Sequence, residues 1–219
     1  MNVFDVIGPV MIGPSSSHTA GAVRLGLITQ ALLGEPVIDA VIELHGSFAR
    51  TYRGHGTDKA IVGGLLGIET DDERIRNSMD IASSQGLFYR FEVVELKDAH
   101  PNTAIIEVTG QSGKSVSVLG SSVGGGNILI RRINHLGVEV TAQYETIIVA
   151  HTDTPGAVAA VTDLLAKQLI NIAQMKVYRS NRGGEAMMVI ETDQTIDPAL
   201  SILLGELLPV RNVTVIEPI

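Results

Sequence analysis

The tightest constraint on the fold lies in the C-terminal stretch, where strand and helix patterns follow one another in a fixed order. From Thr146 the chain reads strand "TIIVAH", helix from Pro155 to about Gln168, strand "NIAQMKVYRS", turn "NRGG", strand "EAMMVIET", helix from Pro198 to about Leu208 and strand "NVTVIEP". Thr154-Pro155 and Asp197-Pro198 each place a capping residue before a proline at the first helical position, which marks two helix starts. A βαββαβ order of about 70 residues admits few packings, and the ferredoxin-like unit is the expected one.

The preceding chain is more varied. A helix is predicted from Thr19 to about Leu33, with Val23, Leu27 and Ala31 on one face, Ile28 and Leu32 widening it, and Gly34 ending it. "PVIDAVIELHG" reads as a strand closed by Gly46, and a second helix starts near Thr57 with Ala60, Ile61, Gly64 and Leu65 inward. Asp71 to Gln85 reads as a solvated helix, followed by the strands "FYRFEVVEL", "TAIIEVTG" and "KSVSVLGSS". Three glycines at 124–126 mark a bend before a further strand, "NILIRRI". The organisation resets between Val140 and Tyr144, giving domains 1–143 and 144–219. The class is α+β: an antiparallel or mixed sheet with helices, then the ferredoxin-like unit.

Composition narrows the function. A formal charge of −8 without Lys/Arg clusters argues against nucleic acid or an anionic membrane and for small molecules or a protein partner. No apolar run of about 18 residues occurs, and "MNVFDVIGPV" lacks the flank and length of a signal peptide, so a cytoplasmic protein is expected. The absence of cysteine excludes disulfides and thiolate-held zinc or iron-sulfur clusters within this chain. Its six histidines include no HxxxH pair, so no metal site is expected here, and any such cofactor comes from a partner.

Three polar stretches remain. "GPSSSHTAG" sets Ser15, Ser16, Ser17, His18 and Thr19 before the first helix. A catalytic serine fits poorly, because sequence-adjacent side chains rarely face each other and no GxSxG elbow is present. An anion cradle of free helix N–H groups and hydroxyls fits better, with a heavily furnished helix cap as the plain alternative. In "HGSFARTYRGHGTDKA", His55 lies between Gly54 and Gly56 in what reads as a mobile Gly-rich turn, a candidate general base, with Asp58 opening the next helix. His45 reads as a turn cap. His100, in "DAHPNTAI", precedes a proline and defaults to a turn residue.

Together "GPSSSHTAG", "GSFARTYRGHGTDKAIVGGLLG", "HPNTA", "SSVGGG" and the C-terminal unit with "HTDTPG" resemble the beta chain of the two-chain bacterial iron-sulfur L-serine dehydratases. The resemblance spans essentially the whole chain. It implies a separate alpha chain whose cysteines hold a [4Fe-4S] cluster, and a reaction taking L-serine to pyruvate and ammonia in cytoplasmic amino-acid catabolism. It also implies an N-terminal domain similar to the allosteric substrate-binding domain of some phosphoglycerate dehydrogenases, and a C-terminal ACT domain. His55 and His100 then match histidines of a composite active site, His55 as base or orienting group, with Ser15 to Thr19 as a loop at the chain interface. The sequence departs where related single-chain forms read two histidines before "TD": here Gly56 follows His55. In the ACT domain an amino-acid effector would meet Asp153, Gly156 and Ala157 of one copy and Asn171 and Ile172 of a dimer-related copy; a unit that only dimerises is the alternative. For the whole chain the alternatives are a regulatory amino-acid-binding subunit without catalytic contribution and a dimerisation scaffold.

Overall fold

The computed structural model describes residues 10–218, so the opening residues read above for a signal peptide lie outside it, apart from Val10. The chain divides into two compact units between Asn134 and His135, ahead of the reset read near Val140.

In the first unit Ser15 Oγ accepts from the His18 N–H at 3.2 Å, and the Thr19 N–H bonds to the Ser15 carbonyl. Helical structure therefore starts earlier than the predicted Thr19: a π-helical turn, Ser16–Ala20, runs directly into α1 (Gly21–Leu33), which Gly34 ends with φ 76°. Leu27 and Ala31 are only half-buried, and the buried face runs through Val23, Leu25, Ile28 and Leu32.

Strand β1 (Val37–Leu44) leads into α2 (Gly46–His55), a helix where the sequence predicted a Gly-rich turn. Only Phe48 of α2 is buried, so no apolar period announces it. Its start is fixed from outside, because the Ser47 and Phe48 N–H groups donate to the Pro101 carbonyl at 2.7 and 3.4 Å. Gly56, at φ 71°, separates α2 from α3 (Thr57–Leu65). The predicted Asp71–Gln85 helix is split into a 3₁₀ turn, Glu73–Asn77, capped by Asp72, and α4 (Ser78–Gln85).

The sheet then adds β2 (Phe88–Val93), β3 (Thr103–Gly110), β4 (Ser115–Gly124) and β5 (Asn127–Ile133) in the order β2-β1-β3-β4-β5. β1 and β2 pair in parallel and the other pairs are antiparallel. A parallel pair needs a long crossover, and α2, α3 and α4 supply it. Gly124 ends β4 and Gly125 and Gly126 form the β4–β5 turn, and Arg24 Nη1 donates to the Gly126 carbonyl at 2.7 Å. α1 lies on α3 and on β3, β4 and β5, with Leu25, Ile28, Ile42, Ile61, Ile106 and Ile130 nearly or fully sealed from solvent. A Cβ on Gly64 would collide with the Val23 carbonyl oxygen, and one on Gly26 with the Ile61 carbonyl, so the two helices cross with their backbones in contact.

The second unit contains β6 (Leu136–Val140), β7 (Glu145–Thr152), α5 (Ala157–Lys167), β8 (Ile172–Arg179), β9 (Glu185–Thr192), α6 (Pro198–Gly205) and β10 (Val210–Ile216). The order β10-β7-β9-β8, antiparallel throughout, is the ferredoxin-like sheet expected. Ile147, Val149, Val161, Leu165, Met188, Ile190 and Leu204 form its core. Asp197 caps α6 by accepting from Ala199 N–H at 2.7 Å, as read from the sequence. Thr154 does not cap α5: Gly156 turns left-handed at φ 90°, so the helix begins at Ala157 rather than Pro155. Among the described residues no helix is long and apolar enough to cross a membrane.

The helix crossing predicts a sharp contrast between two glycines. Gly64→Ala lowers stability by about 1 to 3 kcal/mol, seen as an earlier urea midpoint. Gly54→Ala, inside α2 with open space around it, raises stability by about 0.5 to 1 kcal/mol.

Candidate functional site

The glycine-mediated crossing brings the residues before α1 against those before α3. The His18 ring is the link. Its Nδ1 lies 3.4 Å from Ser15 Oγ and its Nε2 3.1 Å from Ser47 Oγ, joining the π-helical turn to the start of α2. The ring stands edge-on to His55, with centroids 4.9 Å apart and planes at 82°, and edge-on to the buried Phe48. Burial lowers the His18 pKa from the ordinary imidazole value, and a positive charge on His55 lowers it further. Thr19 is buried and donates to the His55 carbonyl at 3.5 Å. His18 thus pairs with Ser15 and Ser47 and not with its neighbour Ser17, while Ser16 and Ser17 stay half-buried beside it.

His55 is the last residue of α2, exposed and resting on His18, instead of lying free in a mobile turn. It opens onto a cleft of about 490 Å³ walled by Thr19, Arg53, Gly56, Lys59 and Arg76, with Ile12, Pro14 and Ile75 as its apolar part. Asp58 is in the first turn of α3 and accepts from the Lys59 N–H at 2.8 Å; it does not line the cleft. An exposed imidazole on a helix end, held by a neutral neighbour and facing a cleft, is placed to exchange a proton with a bound molecule.

His100 lies elsewhere. Its Nδ1 accepts from the Asn102 N–H at 3.1 Å, and it lines a second cavity of about 460 Å³ with Lys97, Thr103, Ser121 and Arg131. The structure brings Ser15, His18, Thr19 and His55 together, while His100 lines a different cavity. His45 is half-buried and accepts from the Leu96 N–H at 3.2 Å, tying the end of β1 to the β2–β3 connection.

Arg53, Lys59, Arg76 and Ser47 were not singled out by sequence reasoning. A signal existed for two of them, since Arg53 and Lys59 flank His55 in "RGHGTDK". Among the described residues no three His, Asp or Glu side chains converge as metal ligands. With no cysteine in the sequence, the residues of this chain do not fit an iron-sulfur cluster.

In the second unit Asp153 and Gly156 sit where β7 passes into α5. Asp153 accepts from the Gly183 N–H at 3.1 Å and from Arg179 at 3.0 Å, and these bonds hold its pKa below the ordinary carboxylate value. Ala157 is buried in the core, while Gly156 is exposed with a left-handed backbone. Asn171 donates to Asp193 at 2.6 Å, and Ile172 opens β8. Thr152 pairs with Glu185 at one end of β9 and Ile172 with Thr192 at the other, so within one chain these two groups occupy opposite ends of the sheet.

The serine dehydratase beta chain family model matches residues 2–86, and the ACT domain model matches residues 144–201. The chain is 44% identical over 213 residues to a probable L-serine dehydratase, beta chain, of Bacillus subtilis, covering 97% of this chain and 96% of that one. It is 37% identical over 206 residues to the L-serine dehydratase, beta chain, of Peptoniphilus asaccharolyticus, covering 93% of each. It is also 25% identical over 175 residues to the D-3-phosphoglycerate dehydrogenase of Bacillus subtilis, covering 80% of this chain and 33% of that protein.

The ring pair predicts an NMR result. His18 titrates below 6.5, and His55→Gln raises its midpoint only part of the way, because burial, the larger cause, remains. The unfolded chain takes up this proton more readily than the folded one, so His18 withdraws stability as pH falls through 6.5. A His18 midpoint at or above 6.5 contradicts both statements.

Proposed function

The chain belongs to the L-serine dehydratase beta-chain family and carries an ACT domain, and from that premise we propose that it completes a composite active site with a cysteine-bearing alpha chain, deaminating L-serine to pyruvate and ammonia in the cytoplasm. The [4Fe-4S] cluster of that enzyme is held by the alpha chain, for which this chain has no ligands. What this chain supplies is a positioned base and a polar wall.

The observation that carries the reading is His55 at the cleft, resting on His18. Deamination requires loss of a weakly acidic α-proton. A neutral His55 accepts that proton on a ring nitrogen and becomes cationic. His18, whose pKa burial holds below the ordinary imidazole value, then adds no like charge 4.9 Å away. Ser15 and Ser47 hold His18 from both sides, and that grip orients the ring against which His55 rests. Ser16 and Ser17 face the interface with the alpha chain. His100, in its own cavity, serves the composite site separately from His55.

The ACT domain pairs with a second copy. The opposite-end placement of Asp153 and Gly156 against Asn171 supports an amino-acid effector held between copies, each contributing one group. The same domain favours the second reading, in which the chain is a regulatory subunit that makes no catalytic contribution.

The test is pyruvate formation from L-serine, measured anaerobically for the alpha chain with and without this chain. Activity only in the pair is expected, with His55→Ala lowering kcat by at least about 100-fold while co-purification of the chains is unchanged. Full activity of the alpha chain alone selects the regulatory reading; normal turnover in the variant removes His55 as the base.

A further inference from the structure

The cleft at His55 has a charge that proton transfer does not account for. Arg53, Lys59 and Arg76 all line it, and among the described residues no Asp or Glu does. The chain as a whole is acidic, with 24 Asp and Glu against 16 Lys and Arg, and nearby surface arginines are neutralised: Arg74 by Asp72 at 2.6 Å and Arg90 by Glu92 at 2.9 Å. Arg53, Lys59 and Arg76 have no ion-pair partner among the described residues; Arg53 only lies over the Tyr52 ring, 5.4 Å from its centroid. The three come from separate elements: the end of α2, the first turn of α3 and the 3₁₀ turn before α4. Gathering unpaired cations in a concave site focuses a positive potential there and raises the local concentration of anions.

The charge also restricts what fits. A free amino acid is a zwitterion, and its ammonium group is repelled by the same three cations that attract its carboxylate. A molecule with two or more negative charges and no cation gains from all three. The cleft, at about 490 Å³, falls within the range of small-molecule sites.

We propose that the cleft bounded by Arg53, Lys59 and Arg76 binds a small polyanion, of the phosphate or di- or tricarboxylate class, which stands at His55 when bound. The proposal rests on the charge and shape of the cleft and is independent of any catalytic role for His55. A polyanion seated there excludes other molecules from His55 and acts as a competing ligand of that site.

The test is calorimetric titration of the full chain at low ionic strength with citrate and with inorganic phosphate as probes, and with L-serine for comparison. Citrate or phosphate is expected to bind more tightly than L-serine, and added salt to weaken the binding. Arg53→Gln, Lys59→Gln and Arg76→Gln are each expected to weaken it by about five-fold, with circular dichroism unchanged. Lys167→Gln, whose side chain pairs with Asp163 in the second unit, is expected to have no effect. Three results would each overturn the proposal: no binding of either polyanion, equal weakening by Lys167→Gln, or loss of binding when the alpha chain is added. The last would make the three cations part of the interface between the chains.

Discussion

Two glycines decide where the polar chemistry of this protein is assembled. Because neither Gly26 nor Gly64 carries a Cβ, α1 and α3 approach until the backbone of each meets the other. Thr19, just before α1, reaches the carbonyl of His55, just before α3. Side chains at the crossing would push the helices apart and separate the serine-rich turn from the His55 corner. The hydrogen bonds of His18 then refine a meeting that the helix crossing has already arranged.

From Glu145 on, the second unit was legible from its pattern almost element by element, since those strands and helices share one small core; β6, outside that core, was not read from the sequence. The other exception, the start of α5, depends on one left-handed glycine, which no apolar period records. In the first unit α2 escaped the sequence for a different reason. It buries one side chain and is capped by a carbonyl from Pro101, a residue far along the chain, so the information that makes it helical is not local. The site divides the same way. His55 stood out because it is a histidine between glycines, whereas the grip of Ser47 on His18 spans 29 residues and could be found only in three dimensions. His100 stood out equally well, but sequence could not say that it faces a different cavity.

Burial and the facing His55 both disfavour a charge on His18. A charged imidazole in that half-buried place would repel a cationic His55, and the pair would then hold at most one proton with ease. The lack of cysteine sets a matching limit on composition: this chain has imidazoles, hydroxyls and cations to offer, and no thiolate.

The parallel pairing of β1 with β2 has an architectural consequence. The three cations of the cleft and His55 all belong to the single excursion the chain makes between those two strands, while Ile12, Pro14 and Thr19 close it from the segment before α1. That excursion is clamped at two points, where Gly64 of α3 meets the backbone of α1 and where the Pro101 carbonyl holds the start of α2. Arg53, Lys59 and Arg76 lie at neither clamp, so the charge of the cleft can be altered without loosening the scaffold that shapes it.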